Sequence, residues 1–565
     1  MTRVLGIEGT AWCASAAVFD TAPDAGADTQ RDTETASVGT AGGPDSAETV
    51  RIFSDPYQPD SGGIHPREAA EHMRSAIPEV VESALAFVES TAGEPGETVD
   101  AIAFSRGPGL GPCLRIAATA ARALAGALSL PLVGVNHMVA HLEIGRHRSG
   151  FDDPVCLNAS GANAHVLGHH NGRYRVLGET MDTGIGNAID KFTRHVGWSH
   201  PGGPKVEREA LEGSYVELPY VVKGMDFSFS GITSAAKAAV DDGTPVADVC
   251  CGLQETTFGM LTEVSERALS LTGGEELVLG GGVGQNDRLR GMLETMCEAR
   301  GASFYAPEPR FLRDNAGMIA VLGAKMYAAG DTIEVADSRV RPDFRPDEVP
   351  VTWRPDRTTP HDGDVDRSGR AADPDRTQGA EATVGLRPED GLVRKRRLSK
   401  AYRHPELDER LRQRRTRSEA RLTSEARRRG VPTPVVLDVD PTAGLLAFEF
   451  VGTDDLRNAV SERAVRGVGR HLARCHAVGF VHGDPTPRNV RVDDERVYLI
   501  DFGLGYYSDH VEDYAMDLHV FEGALAGTAD APTPLIDAFE SAYEAAGDGG
   551  VLDRLREIET RGRYQ

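Results

Sequence analysis

Lysine is almost missing from this chain, with seven residues against 54 arginines, while 86 acidic residues bring the formal charge to −25. That balance excludes a generally basic, nucleic-acid-coating surface. It fits a protein kept soluble in concentrated salt, where carboxylates dominate the surface and their repulsion is screened. Cysteine is scarce too: seven residues, no CxxC pair, and only Cys250 and Cys251 adjacent. Neither a disulfide framework nor a zinc ribbon is compatible with that spacing, and a reducing cytoplasm is the expected setting. Long apolar runs are also wanting. The best, "AATAARALAGALSLPLVGV", is interrupted by Arg122 and Pro131, short of the roughly 18 residues a membrane span requires. The start, "MTRVLGIEGT", has none of the parts of a signal peptide. Cytoplasmic localisation without a membrane partner is therefore expected.

What is present divides by composition. A chain of 565 residues is too long for one core. Residues 1–354 alternate strand and helix patterns around glycine-rich turns, 355–379 lose apolar residues and read as a disordered acidic linker, and 380–565 resume globular patterning. A second polar run, "TAPDAGADTQRDTETASVGTAGGPDSAE", reads as a long loop inserted between the strand-like "CASAAVFD" and "TVRIFSD". Against the acidic background, Arg394–Arg429 carries 15 basic and 5 acidic residues, a net of +10. A phosphate-rich partner, ATP or RNA, is the expectation for that segment.

In the last third, "VHGDPTPRNV" and "VYLIDFGLG" supply Asp484, Asn489 five residues later, and Asp501 in Asp-Phe-Gly. Phosphoryl transfer from ATP uses such a set: one carboxylate at the attacking hydroxyl, an amide and a second carboxylate holding Mg2+. Lys395 in the strand-like "GLVRKRRL" and Glu419 in the helical "RTRSEARLTSEA" suit the ion pair that orients a phosphate-binding lysine, with Lys400 as a rival. The retention of a lysine at 395, in a chain that avoids them, favours a site wanting a compact ammonium. "HGD" stands where protein kinases have "HRD", and no "APE" follows. Together these strings resemble the small atypical kinase/ATPase of the KEOPS tRNA-modification complex. In that family the phosphate cover is degenerate, and "GAEATVG", Gly379–Gly385, occupies its position. The resemblance implies a minimal protein-kinase-like domain.

In the first two thirds, "VLGIEGTAWCASAAVFD" reads as strand, turn, strand, with Gly6, Gly9 and Thr10 at the turn. The pattern recurs in "CLNASGANAHVLG", and "ELVLGGGVGQNDRL" leads from strand through glycines into a helix N-terminus suited to anions. A duplicated actin-like, sugar-kinase-like ATPase fold of class α/β is expected. In "VNHMVAHLEIG", His137 and His141 stand four apart, one face of a helix. A zinc protease of the HExxH type needs glutamate after the first histidine, and Met138 stands there. The strings "GGIHPREAAEHM", "RGPGLGPCLRIA", "NHMVAHLEIG", "GNAIDKF", "GGPKVE", "MDFSFSGI" and "FLRDNAGMIA" resemble, over nearly all of residues 1–354, the universal tRNA threonylcarbamoyladenosine transferase in its archaeal and eukaryotic form. Its fusion to the kinase is an archaeal arrangement.

That resemblance implies one divalent metal, iron or else zinc, on His137, His141 and Asp314, and substrate contacts from Asn158, Ser160, Gly161, Asp190, Gly203, Glu207 and Asn286. The family's string Tyr-Val-Ser-Gly-Gly-Asn is "NASGAN" here, so Asn158 replaces a tyrosine that can join the metal, and Ala162 replaces the second glycine. An amide oxygen is shorter and cannot become a phenolate. The implied reaction moves a threonylcarbamoyl group from threonylcarbamoyl-AMP to the adenosine 3′ of the anticodon in tRNAs reading codons that start with A. Implied partners are tRNA, ATP and the other small KEOPS subunits. The alternative is a nucleotide-binding regulatory scaffold with a protein kinase.

Overall fold

The strands Arg3–Glu8 and Cys13–Asp20 are buried at every position, as happens when a sheet is covered on both faces. The computed structural model describes residues 2–21, 48–57, 65–91, 99–161, 163–170, 172–354, 376–387, 390–526, 528–529 and 531–561. In it these two strands lie inside a five-stranded sheet in the order Thr49–Pro56, Cys13–Asp20, Arg3–Glu8, Ala101–Gly107, Leu132–Asn136. The first three run antiparallel and the last two join in parallel. A second sheet repeats the plan, as Arg173–Glu179, Ala164–His170, Val155–Ala159, Glu276–Gly280, Ser303–Tyr305, again with a three-stranded meander followed by two parallel strands. One topology used twice is the duplicated actin-like, α/β architecture.

Alternation along the strands sorts the core. Leu5, Ile7, Ala16 and Val18 join the helices Pro66–Thr91 and Gly111–Leu128. Val4, Ala17 and Phe19 point the other way, toward His137–Ser149 and Ala316–Ala328. Cys156, Leu167 and Val278 of the second sheet belong to that same cluster. The two helices are thus packed between the sheets. Gly6 belongs to this packing and not to the turn where the sequence reading had it. It sits inside its strand, where an added Cβ would come 2.6 Å from the Ala316 carbonyl oxygen and 2.7 Å from the Ala320 nitrogen. The glycine lets a helix backbone rest on the sheet.

The polar run expected as a loop in a hairpin falls almost wholly outside the described residues. The strands flanking it pair antiparallel, with Asp20 opposite Thr49. The chain divides into two compact units between Gly363 and Asp364, with Val222–Gly224 grouped in the second. Of the expected disordered linker 355–379, residues 355–375 lie outside the described residues. Its end needs correction: Arg376–Gln378 form a strand whose residues pair with Thr383, Val384 and Gly385. A short polar edge strand has no apolar period for a sequence reading to detect.

In the second unit, five strands in the order Arg376–Gln378, Ala382–Arg387, Leu392–Arg397, Leu445–Glu449, Val436–Asp440 form an antiparallel sheet, beside the helix Pro405–Arg428. The helices Glu462–His476, Val511–Ala526, Pro532–Glu544 and Gly549–Arg561 gather around a core that includes Leu472, Phe480, Phe502, Phe521 and Phe539. Among the described residues, no helix is long and apolar enough to cross a membrane.

Candidate functional site

Two helices that start at one point build the centre of the first unit. His137 opens His137–Ser149, capped by the Asn136 side chain, which accepts from the Met138 and Val139 N–H groups. Asp314 immediately precedes Asn315, whose side chain caps Ala316–Ala328 through the Met318 N–H. Asp314 Oδ1 lies 3.4 Å from Nε2 of both His137 and His141. The donor atoms of these three residues lie within 4.8 Å of one another. Glu8, buried at the end of the first strand, stands 3.0 Å from His137 Nδ1, which turns Nε2 toward the aspartate.

Charge is concentrated there. Burial alone would lower the His137 imidazole, but the Glu8 and Asp314 carboxylates outweigh it and push it up to about 10. Burial lowers His141. Asp314 is held far below the usual carboxylate range because the two histidines overcome its own desolvation. Two imidazole nitrogens and one carboxylate oxygen are a fitting donor set for a divalent transition metal.

Asn158 has no exposure, its Nδ2 faces Met138 Sδ at 3.6 Å, and its Oδ1 is buried without a hydrogen-bond partner. Gly281, at φ 84°, packs against it, since an added Cβ would lie 2.6 Å from that Oδ1 and 2.3 Å from the Ala159 carbonyl oxygen. The unsatisfied amide oxygen is compatible with a further ligand atom. Ala162 lies outside the described residues.

The other expected substrate residues are connected by a run of hydrogen bonds between neighbouring turns and helix starts. Ser160 Oγ donates to the Asn163 carbonyl at 2.8 Å, closing the turn between two strands. The start of the helix Ile185–His195 lies against that turn, with the Asn187 N–H donating to the Gly161 carbonyl at 2.9 Å. Asp190, on the same helix, accepts from the Gly202 N–H at 2.9 Å, beside Gly203, which opens Gly203–Glu212. On that helix Glu207, raised above its ordinary pKa by burial, accepts from the Asp287 N–H at 2.8 Å. The preceding residue, Asn286, caps Asp287–Arg300 and donates to Gln254 at 3.2 Å.

In the second unit, Lys395 Nζ lies 2.8 Å from Glu419 Oε1 and 2.6 Å from Asp501 Oδ1. Lys400, the rival, donates instead to the Ala380 carbonyl. Burial opposes ionisation of Asp501, but Lys395 and Arg397 hold its carboxyl down at about 2. Asn489 Nδ2 donates to Asp484 Oδ2 at 2.9 Å. The segment expected as phosphate cover, Gly379–Gly385, starts in the turn between the first two strands of the sheet, where the Gly379 N–H donates to the Ala382 carbonyl at 2.9 Å, and continues as the strand Ala382–Arg387.

Sequence reasoning missed several supporting residues. Glu8 is one. Arg397, two residues beyond Lys395 and so on the same strand face, reaches Glu419 Oε2 at 2.6 Å and Glu381 Oε2 at 2.9 Å. Glu381 also pairs with Arg415, tying the cover to the helix. Asp517, buried, accepts from the His482 N–H at 2.6 Å and the Gly483 N–H at 2.8 Å, fixing the loop that leads into Asp484. The strand period was the one signal available, and only for Arg397.

The basic segment divides. Lys395, Arg397, Arg403 and Arg415 are buried, whereas Arg414, Arg417, Arg421 and Arg428 are exposed on Pro405–Arg428. Their spacings of 3, 4 and 7 put them on one face.

Residues 48–321 match the family described as tRNA N6-adenosine threonylcarbamoyltransferase, and residues 476–558 match the phosphotransferase enzyme family. A protein of Natronomonas pharaonis named "Probable bifunctional tRNA threonylcarbamoyladenosine biosynthesis protein" is 73% identical over 565 residues, covering 100% of both chains. A protein of the same name from Halobacterium salinarum is 67% identical, covering 100% of this chain and 99% of the relative. One from Methanospirillum hungatei is 48% identical, covering 99% of each.

Proposed function

The chain belongs to the family of bifunctional tRNA threonylcarbamoyladenosine biosynthesis proteins, a transferase domain fused to a kinase-like domain, and from that premise we propose how its residues divide the work. The first unit transfers the threonylcarbamoyl group of threonylcarbamoyl-AMP to the exocyclic amine of the adenosine 3′ of the anticodon, in tRNAs reading codons that start with A. The amine nitrogen bonds to the carbamoyl carbon, the bond from that carbon to the phosphate oxygen breaks, AMP leaves, and the nitrogen gives up a proton. His137, His141 and Asp314 hold a divalent metal, iron in our reading, with Asn158 Oδ1 as a further neutral donor. When bound, that ion supplies Lewis-acid and orienting chemistry.

The protein's own residues hold the donor. Ser160, Gly161, Asp190, Gly203, Glu207 and Asn286 keep the adenylate oriented for attack, which removes the entropic cost of alignment from the chemical step. Glu8 fixes the orientation of His137. The observation that carries this reading is the convergence of His137 Nε2, His141 Nε2 and Asp314 Oδ1.

The second unit binds ATP and Mg2+ and acts as a serine/threonine kinase or ATPase that supports or regulates the complex. Lys395, oriented by Glu419, meets the phosphates, Asn489 and Asp501 hold Mg2+, and Asp484 receives the attacking hydroxyl's proton. The exposed arginines of Pro405–Arg428 grip tRNA backbone, other small KEOPS subunits complete the assembly, and the setting is the cytoplasm. The test is chromosomal replacement by His141→Ala, followed by mass spectrometry of tRNA nucleosides. Loss of threonylcarbamoyladenosine is expected, and unchanged modification would overturn the assignment.

A further inference from the structure

The turn that supports the cluster of His137, His141 and Asp314 carries a second feature. Glu8 Oε1 accepts from the Thr10 N–H at 2.7 Å while Oε2 faces His137. Two residues beyond Thr10, Trp12 is only partly buried. Its indole lies parallel to the His200 imidazole, with centroids 5.3 Å apart and planes 9° from each other. The Tyr57 N–H donates to the Trp12 carbonyl at 2.7 Å, and the two rings stand 6.4 Å apart. A Cβ at Gly161 would come 3.7 Å from the indole nitrogen. His200 Nδ1 lies 3.0 Å from Asp190 Oδ2. The ring pair therefore joins the Glu8 turn to the hydrogen-bonded run of Ser160, Gly161 and Asp190.

The chemistry of this spot favours a base over a phosphate. The carboxylate beside the ring pair is Asp190, engaged by the Gly202 N–H and by His200, and its charge repels phosphate oxygens while leaving an uncharged base undisturbed. A partly exposed aromatic plane held by a second ring is the arrangement on which unpaired bases stack.

We propose that Trp12, with His200 behind it, is a stacking platform for a purine base at the edge of the transfer site. The proposal rests on the transferase reading and deepens it by naming where a base is held. Two purines can supply the ring: the adenine of an adenylate, and an unpaired adenosine in an RNA loop.

The test uses the full-length protein and two probes, AMP and an unmodified tRNA anticodon stem-loop. In a Trp198→Phe, Trp353→Phe background Trp12 is the sole reporter, and its fluorescence should be quenched saturably by at least one probe. Affinities are then measured by calorimetry for AMP and by anisotropy of labelled stem-loop. Trp12→Ala should weaken binding roughly tenfold, and Trp12→Phe should stay within about threefold, because any flat ring can stack. Loss confined to the stem-loop assigns the base to RNA, and loss confined to AMP assigns it to the adenylate. Should Trp12→Ala fail to fold, His200→Ala is expected to weaken the same probe severalfold. Unchanged affinity for both probes in the folded variants overturns the platform. Product formation by wild-type protein, measured alongside, separates the two claims. A platform that fails while product forms leaves the transferase reading standing. A platform that binds while no product forms sinks the transferase reading alone.

Discussion

At the residue scale, His137 presents Nε2 to Asp314 because Glu8 holds its other nitrogen at 3.0 Å. Glu8→Gln keeps the shape of that contact and removes its charge. Metal affinity, followed by competition with a chromophoric chelator, should fall about 10–100-fold, the usual effect of losing a ligand's outer partner. An unchanged affinity would mean that Glu8 serves only the Thr10 turn. The two histidines were legible in the sequence because helical spacing puts residues four apart on one face. Glu8 was not, being one of 86 acidic residues whose role appears only when its strand is seen to be buried. Asp517 was hidden for the same reason, since its partners are backbone N–H groups 34 and 35 residues away in sequence. Asp517→Asn should lower the stability of the second unit by about 1–3 kcal/mol in urea melts. It should also depress ATP turnover, because the loop leading to Asp484 loses its anchor.

At the element scale, the helices His137–Ser149 and Ala316–Ala328 are held together by an ion pair away from the cluster of His137, His141 and Asp314. Glu143, with no exposed side chain, meets Lys325 at 2.9 Å and Arg146 at 2.9 Å, and Tyr174 donates to it. Burial opposes its charge, but Lys325 and Arg146 hold its carboxyl far below the ordinary value of 4.5. Glu143→Gln leaves two cations without their partner and should cost about 3–5 kcal/mol at neutral pH. The sign with pH follows from the depressed value. The folded state binds fewer protons at Glu143 than the unfolded state, so the contribution is complete above about pH 4.5 and fades as pH falls. Thermal melts of the two proteins should therefore converge in acid. The exposed face of Pro405–Arg428 makes a different prediction. Replacing Arg414, Arg417 and Arg421 by glutamine should reduce the log-log salt dependence of tRNA binding by about 2–3, close to one per lost phosphate contact. Unchanged slope would place the RNA elsewhere. The strands on either side of the polar run were legible from their apolar residues, whereas Arg376–Gln378 was not, because a polar edge strand is specified by its partner.

At the scale of the whole molecule, the acidic surface hid the functional partner. A charge of −25 argues against nucleic acid, yet the exposed basic residues of one helix stand against that background. The repeated strand order was partly legible, through recurring glycine turns, but the layering that puts two helix starts between two sheets came only from the structure. The central claim is that transfer to tRNA is performed at His137, His141 and Asp314. It is tested most directly by measuring bound metal and threonylcarbamoyladenosine formation in the same preparations of wild type, His141→Ala and Asp484→Ala, supplied with the adenylate donor, KEOPS partners and unmodified tRNA. We expect His141→Ala to lose both metal and product, and Asp484→Ala to keep its metal. Product formation at the wild-type rate by metal-depleted His141→Ala would contradict the assignment.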